Sequence, residues 1–285
     1  MKKLAQWAMT GRWQATVAAG ACLAIPLFFW LGAAILALVI LRYGWQQAAQ
    51  VVLWALLPGI TWLAMGDPTP LLTALGTSAL AVVLRATIRL DWTVMVSAVS
   101  GIVVYFLLPL LLPEVLPQVK DSSEQLIAEA LKEQPELLTQ LQPLVAPMIS
   151  GVLAALHALV FMLCLLLGRY WQSTFYNPGG FGAEFKQLRL PLAFSLPVML
   201  VMLSAGQLDP ELAGLMPVLT IPLMLAGLAL FHGLVSQTKA SPNWMIVVYI
   251  GLFVLGQYMY TLLIFVACLD SAWNFRARLP KDTAD

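Results

Sequence analysis

Eight long apolar runs dominate this chain, near residues 15–41, 46–65, 69–87, 92–114, 145–168, 190–206, 212–236 and 243–269, and they carry almost no charge. About 20 apolar residues in a helix, rising 1.5 Å each, match a bilayer core of roughly 30 Å. Inside lipid every backbone N–H and C=O must find a partner within the chain, which leaves helices or closed barrels. Barrel strands are short and alternate in polarity, and these runs do neither. The remaining sequence cannot coat a water-soluble globule either, because the chain is 61% hydrophobic and only 10% charged, against about a quarter charged in soluble domains. The reading is an all-α fold: a polytopic α-helical membrane bundle of about eight spans (seven to ten), forming one membrane domain over 1–285.

The first run is too long for one span, and Pro26 lies near its middle. An interior proline removes a helix hydrogen bond and bends the chain. The expectation is a short N-terminal helical hairpin, retained rather than cleaved as a signal peptide. Splitting the run also gathers Lys2, Lys3, Arg12, Arg42, Arg85, Arg89, Arg169, Lys186 and Arg189 on one side. Cytoplasmic loops carry such an excess of Lys and Arg. If 190–206, with Pro191 and Pro197, is re-entrant, the basic tail around Arg276 and Arg278 returns to that side too. Tryptophans at run ends (Trp13, Trp45, Trp62, Trp92, Trp171, Trp244 and Trp273) fit an interfacial aromatic belt.

Residues 115–144 are the one sizeable polar insert. Leu126, Ile127, Ala130 and Leu131 recur at helical spacing, Pro135 restarts the pattern, and acidic residues prevail. Two amphipathic helices lying on the extracytoplasmic face are expected, as a lid or a passive connector.

NPGGFGAEFKQLRLP, Asn177 to Pro191, places glycines, aromatics and cations together. It lacks the Gly-Lys-Ser/Thr of a phosphate loop. Phe181 and Phe185 share a helical face, flanked by Lys186 and Arg189. This is an interfacial anchor or a partner-docking surface. Ala15 and Ala19, four residues apart, would let another helix approach closely, either within the chain or on another subunit.

His157 and His232 lie within apolar runs. Each is read as a packed core residue or as a ligand contact, with Gln257 or Tyr258 a suitable partner for His232. Ser150, His157 and Cys164 share a helical face, but seven residues along a helix is about 10 Å, too far for a nucleophile and its base. No metal motif is present, and Cys22, Cys164 and Cys268 are scattered in apolar runs. Net charge is +1, without the basic footprint that nucleic acid requires. No catalytic residue, cofactor or metal is expected, and the partners are the lipid bilayer and other membrane subunits. Asp270 and Arg276 are placed to pair where the last run ends.

Three places carry a resemblance: Pro26 through ILRYGWQQA (Ile40–Ala48), GLALFHGLV (Gly227–Val235) and LDSAWNFR (Leu269–Arg276). Together the chain resembles the YybS-like family of bacterial multi-spanning membrane proteins. That family is more remotely similar to the substrate-binding components of energy-coupling-factor transporters, which dock on a coupling protein through small residues of the first helix. Ala15 and Ala19 are the matching positions. The resemblance implies a multi-pass protein of the bacterial inner membrane, non-enzymatic, binding a small ligand and working with partner subunits. The alternative is a scaffolding membrane protein with no small-molecule substrate.

Overall fold

The computed structural model describes residues 1–204, 209–238, 241 and 243–278, and their regular elements are helices, with no strands among the described residues. A short helix α1 (Lys2–Ala8) precedes α2 (Arg12–Ala24). Pro26 then stops the helix as its chemistry requires. A residue before proline is pushed out of the α region, and Ile25 is extended, with φ −100° and ψ 120°. One 3-10 turn, Pro26–Phe28, leads into α3 (Phe29–Tyr43). The two helices fold back on each other, close enough that a Cβ on Gly32 would stand 2.7 Å from the Ala19 carbonyl oxygen. The expected hairpin is therefore present.

Helix α3 is the hub of the bundle. Leu31 through Leu41 are all buried. Helices α2, α4 (Trp45–Ala55), α6 (Thr69–Thr87) and α9 (Pro135–Tyr176) surround it. In lipid no hydrophobic force drives helices together, so close packing of small residues carries association. Gly168 of α9 shows this: a Cβ there would lie 2.8 Å from the Ala34 carbonyl oxygen of α3. Helix α4 continues after a 42° bend into α5 (Leu57–Ala64), where Pro58 interrupts the ladder. Helix α7 (Leu90–Leu111) runs beside α9.

The insert differs from its expected form. Helix α8 (Val115–Ala130) packs against α9, but there is no second separate helix. Instead α9 is one element of 42 residues, about 63 Å at 1.5 Å per residue. Its first third pairs with α8, and the rest enters the bundle. Pro143 and Pro147 are accommodated inside it.

The remaining elements are α10 (Gly180–Gln187), α11 (Leu192–Leu203), α12 (Pro210–Gly214), α13 (Met216–Gln237), α14 (Asn243–Val254), α15 (Gln257–Trp273) and α16 (Phe275–Arg278). Two expectations are corrected here. First, 190–206 is not re-entrant. Ser195 lies beside Cys268, and Arg189 bonds the carbonyls of Asp270 and Ser271, at one end of α15. After residues 205–208, which lie outside the described set, Glu211 meets Tyr105 near the opposite end of α7. The chain enters at one end of the bundle and leaves at the other. Pro191 caps α11 and Pro197 is tolerated within it, so neither turns the chain back.

Second, 243–269 is not one span. Gly256, at φ 47° and ψ −110°, reverses the chain between α14 and α15, a backbone region that a side chain would strain. Tyr249 of α14 reaches His232, while Tyr260 of α15 reaches Thr220. Arg276 packs on Gly233. Helix α15 thus runs parallel to α13, and α14 runs against both. This reversal, rather than a re-entrant 190–206, brings the basic end of α15 back beside Lys186.

Among the described residues, five helices are long and apolar enough to cross a membrane by length and hydropathy, α3 with its 3-10 turn being one of them, and seven if each bent pair is one span; α14 is a shorter apolar helix. Large apolar side chains stand exposed around the bundle, among them Leu27, Leu110, Leu203 and Phe253, as a surface solvated by lipid requires.

Candidate functional site: an arginine cleft at the basic end

The two ends of the bundle differ sharply in charge. Eleven of the thirteen described Lys and Arg (Lys2, Lys3, Arg12, Arg42, Arg85, Arg89, Arg169, Lys186, Arg189, Arg276 and Arg278) gather at one end. Nine of the twelve described Asp and Glu (Asp67, Glu114, Asp121, Glu124, Glu129, Glu133, Glu136, Asp209 and Glu211) gather at the other. Trp13, Trp45, Trp92, Trp244 and Trp273 are exposed at the basic end and form the expected belt. Trp171 departs from it. It is only 2% exposed, because α9 turns that face into the core.

At the basic end, three helix termini converge on an open cleft of about 490 Å³, lined by Arg42, Arg85, Arg169, Gln172, Tyr176 and Glu184, with Leu41, Leu84 and Ile88 as its apolar wall. Arg85, in the last turn of α6, donates through Nη1 to the carbonyl oxygens of Leu41 and Arg42. These are orphan acceptors at the C-terminus of α3, where a cation also suits the helix dipole. Gln172 Nε2 donates to the same Leu41 carbonyl at 3.0 Å. Arg169 donates to Gln172 Oε1 at 3.0 Å and pairs with Glu184 of α10 at 2.9 Å. The Arg42 guanidinium lies 4.0 Å over the Tyr176 ring. Arg42 and Arg85 have no carboxylate partner among the described residues, so three guanidinium groups face one carboxylate.

Beside this cleft, α10 is folded onto the protein. Phe181 and Phe185 pack edge-to-face on the protein, Phe181 against Tyr170 and Phe185 against His232. Lys186 Nζ donates to Ser236 Oγ at 2.9 Å. A second hollow of about 330 Å³ lies between α10 and the end of α15. Under it, Arg276 Nη2 pairs with Asp270 Oδ2 at 2.6 Å, both side chains less than a tenth exposed. Arg276 also donates to the carbonyls of Lys186 and Leu188, and Arg189 to those of Asp270 and Ser271. The pair expected at the end of the last run is present, but buried rather than at the rim. Arg89, at the same end, pairs with Asp91 at 2.6 Å, which raises its already high pKa.

The other singled-out residues are dispersed. His232 meets Tyr249, at 3.4 Å between Nε2 and the hydroxyl, instead of Gln257 or Tyr258. Those two lie exposed at the α14–α15 turn, because the chain reverses there. His157 holds the Leu153 carbonyl through Nδ1 at 2.8 Å, and its buried Nε2 has no hydrogen-bond partner among the described residues. Thr73 Oγ1 of α6 is likewise buried without a partner among the described residues. Ala15 and Ala19 are buried within the chain, in the helix that packs on α3 and α4. Among the described residues no three metal-ligating side chains converge.

The arginines of the cleft were visible as charges at segment ends. What sequence reasoning missed was their convergence. The available signal was that Arg42, Arg85 and Arg169 each close a run on the same side. No family model, curated protein or solved structure matches the chain.

Proposed function

We propose that this integral membrane protein is a non-enzymatic component that binds a negatively charged small ligand at its basic end and works with partner subunits. The observation that carries this reading is the cleft itself: three arginines, one carboxylate and an apolar wall, at an end where the helix termini are fixed by hydrogen bonds. Opposite charge, concentrated in a concave site beside low-dielectric walls, attracts anions. The positive-inside rule puts this end in the cytoplasm, and the resemblance to the YybS-like family suggests the bacterial inner membrane. The same resemblance favours a ligand-binding role. Its implied docking through Ala15 and Ala19 is not part of the proposal, since both side chains are covered by the chain's own helices.

Native mass spectrometry of gently extracted protein tests the reading. A retained small anion, released in a variant with Arg42 and Arg169 neutralised, is the expected result. An empty protein whose stability no anion alters would refute it. One observation favours a scaffold instead: the acidic α8–α9 hairpin extends from the far end of the bundle and exposes Leu126, Leu137 and Leu141. Co-purification of one fixed protein, lost on deletion of that hairpin, would support the scaffold.

A further inference from the structure

Resting on that reading, we infer that the ligand presents a phosphate group to Arg42 and Arg85. The charge balance points there. Arg169 is already matched by Glu184. That leaves two guanidinium groups, Arg42 and Arg85, without a carboxylate partner among the described residues. A carboxylate would neutralise only one of them, whereas a phosphate monoester carries about −1.5 to −2 charges near neutral pH and three strong acceptor oxygens. All three cations lining the cleft are arginine and none is lysine. Arginine presents a planar fork of donors that matches phosphate geometry, and it forms the stronger, bidentate bonds.

The backbone around the cleft is shaped for the same purpose. Gly44 has φ 82°, and a Cβ there would stand 3.1 Å from Arg85 Nε. A side chain at this position would crowd the guanidinium away from the α3 terminus. Ile88, on the rim, has φ 54° and is 85% exposed. A β-branched residue in the left-handed region is strained, and helices normally end there on glycine or asparagine. Such strain clusters at binding and switch sites. Exposed apolar surface at Ile88 beside unmatched cations suits a phosphate joined to a less polar body. Two sources share this chemistry: the monoester headgroup of phosphatidic acid, and a water-soluble phosphate monoester from the cytoplasm.

Arg42→Gln is the informative variant, because the Arg42 guanidinium lies over the Tyr176 ring and holds no helix terminus among the described residues, whereas Arg85 also holds α3. Arg278→Gln, at the same end but outside the cleft, is the control. Inorganic pyrophosphate is titrated calorimetrically against full-length protein in neutral detergent. Separately, lipid retention is measured by native mass spectrometry after exposure to vesicles of phosphatidylcholine with and without phosphatidic acid. Pyrophosphate binding weakened roughly tenfold or more by Arg42→Gln, and not by Arg278→Gln, identifies a soluble phosphate source. Selective retention of phosphatidic acid, lost in Arg42→Gln, identifies the lipid source. Either outcome supports the inference. If neither probe binds, or both variants act alike, it is overturned. A phosphorus-free anion retained by the wild type and lost in Arg42→Gln would also overturn it while leaving the proposed function standing.

Discussion

Removing the Asp270 carboxylate should loosen the whole basic end of the last hairpin. Asp270 is 2% exposed and accepts from Arg276 Nη2 at 2.6 Å and from the Phe275 N–H at 2.9 Å. Its Arg276 partner is joined by hydrogen bonds to Lys186 and Leu188, so this one pair ties α15 to the segment after α10. Breaking a buried pair from one side costs about 3–5 kcal/mol, because the remaining charge is left uncompensated. Arg276 keeps two carbonyl acceptors in Asp270→Ala, which places the loss near the lower figure, about 3 kcal/mol. At roughly 2 °C per kcal/mol for a chain this large, the apparent melting temperature in detergent should fall by about 6 °C. Pairing Asp270→Ala with Arg276→Met removes both charges. The double variant should then lose less than the two single losses added, with a coupling of about 1–3 kcal/mol. Scanning fluorimetry of all three variants measures both quantities. A melting temperature for Asp270→Ala unchanged within a degree, or strictly additive losses, would refute the reasoning.

Three further outcomes test the architecture. All three native cysteines are buried, so impermeant maleimide applied to intact cells should label Ser123→Cys and spare Lys3→Cys and Arg278→Cys; labelling of Arg278→Cys would refute the reversal at Gly256. Gly151→Ala should cost about 1–3 kcal/mol or more by overpacking, because its Cβ would collide with the Gly214 carbonyl, whereas Gly182→Ala in open space on α10 should be neutral or stabilising by about 0.5–1 kcal/mol; equal melting temperatures would contradict this. Ala19→Leu should lower the yield of folded monomer by wedging α2 from α3, which pack so closely that even a Cβ added at Gly32 would stand 2.7 Å from the Ala19 carbonyl oxygen; normal folding with loss of a bound subunit would return Ala19 to an intermolecular role.

Much of the fold was legible because its causes are local. Pro26 ends α2 by removing an N–H and by pushing Ile25 into extended backbone, and both effects belong to the residue itself. The reversal at Gly256 has no such signature. Only Gly256 and the adjacent Gln257 interrupt the apolar stretch there, and the turn shows in the Gly256 backbone and in contacts of Tyr249 and Tyr260 with different levels of α13. Pro191 and Pro197 suggested a turn that tertiary packing does not make, since one caps a helix and the other is absorbed. The histidine partner was misjudged as well: Gln257 or Tyr258 was named because a polar group buried in lipid needs a partner, and the fold supplies Tyr249 instead.

Hydrophobicity and the demand that lipid leave no backbone group unpaired were enough, from residues alone, to require a helical membrane bundle with its charges at the two ends. Which ends become neighbours is a different kind of fact. Arg42, Arg85 and Arg169 come from three helices, and they share a cleft only because small residues on α3 and α9 let the backbones close to van der Waals distance. That closeness depends on packing between segments more than a hundred residues apart, so only the folded bundle decides where unmatched positive charge collects.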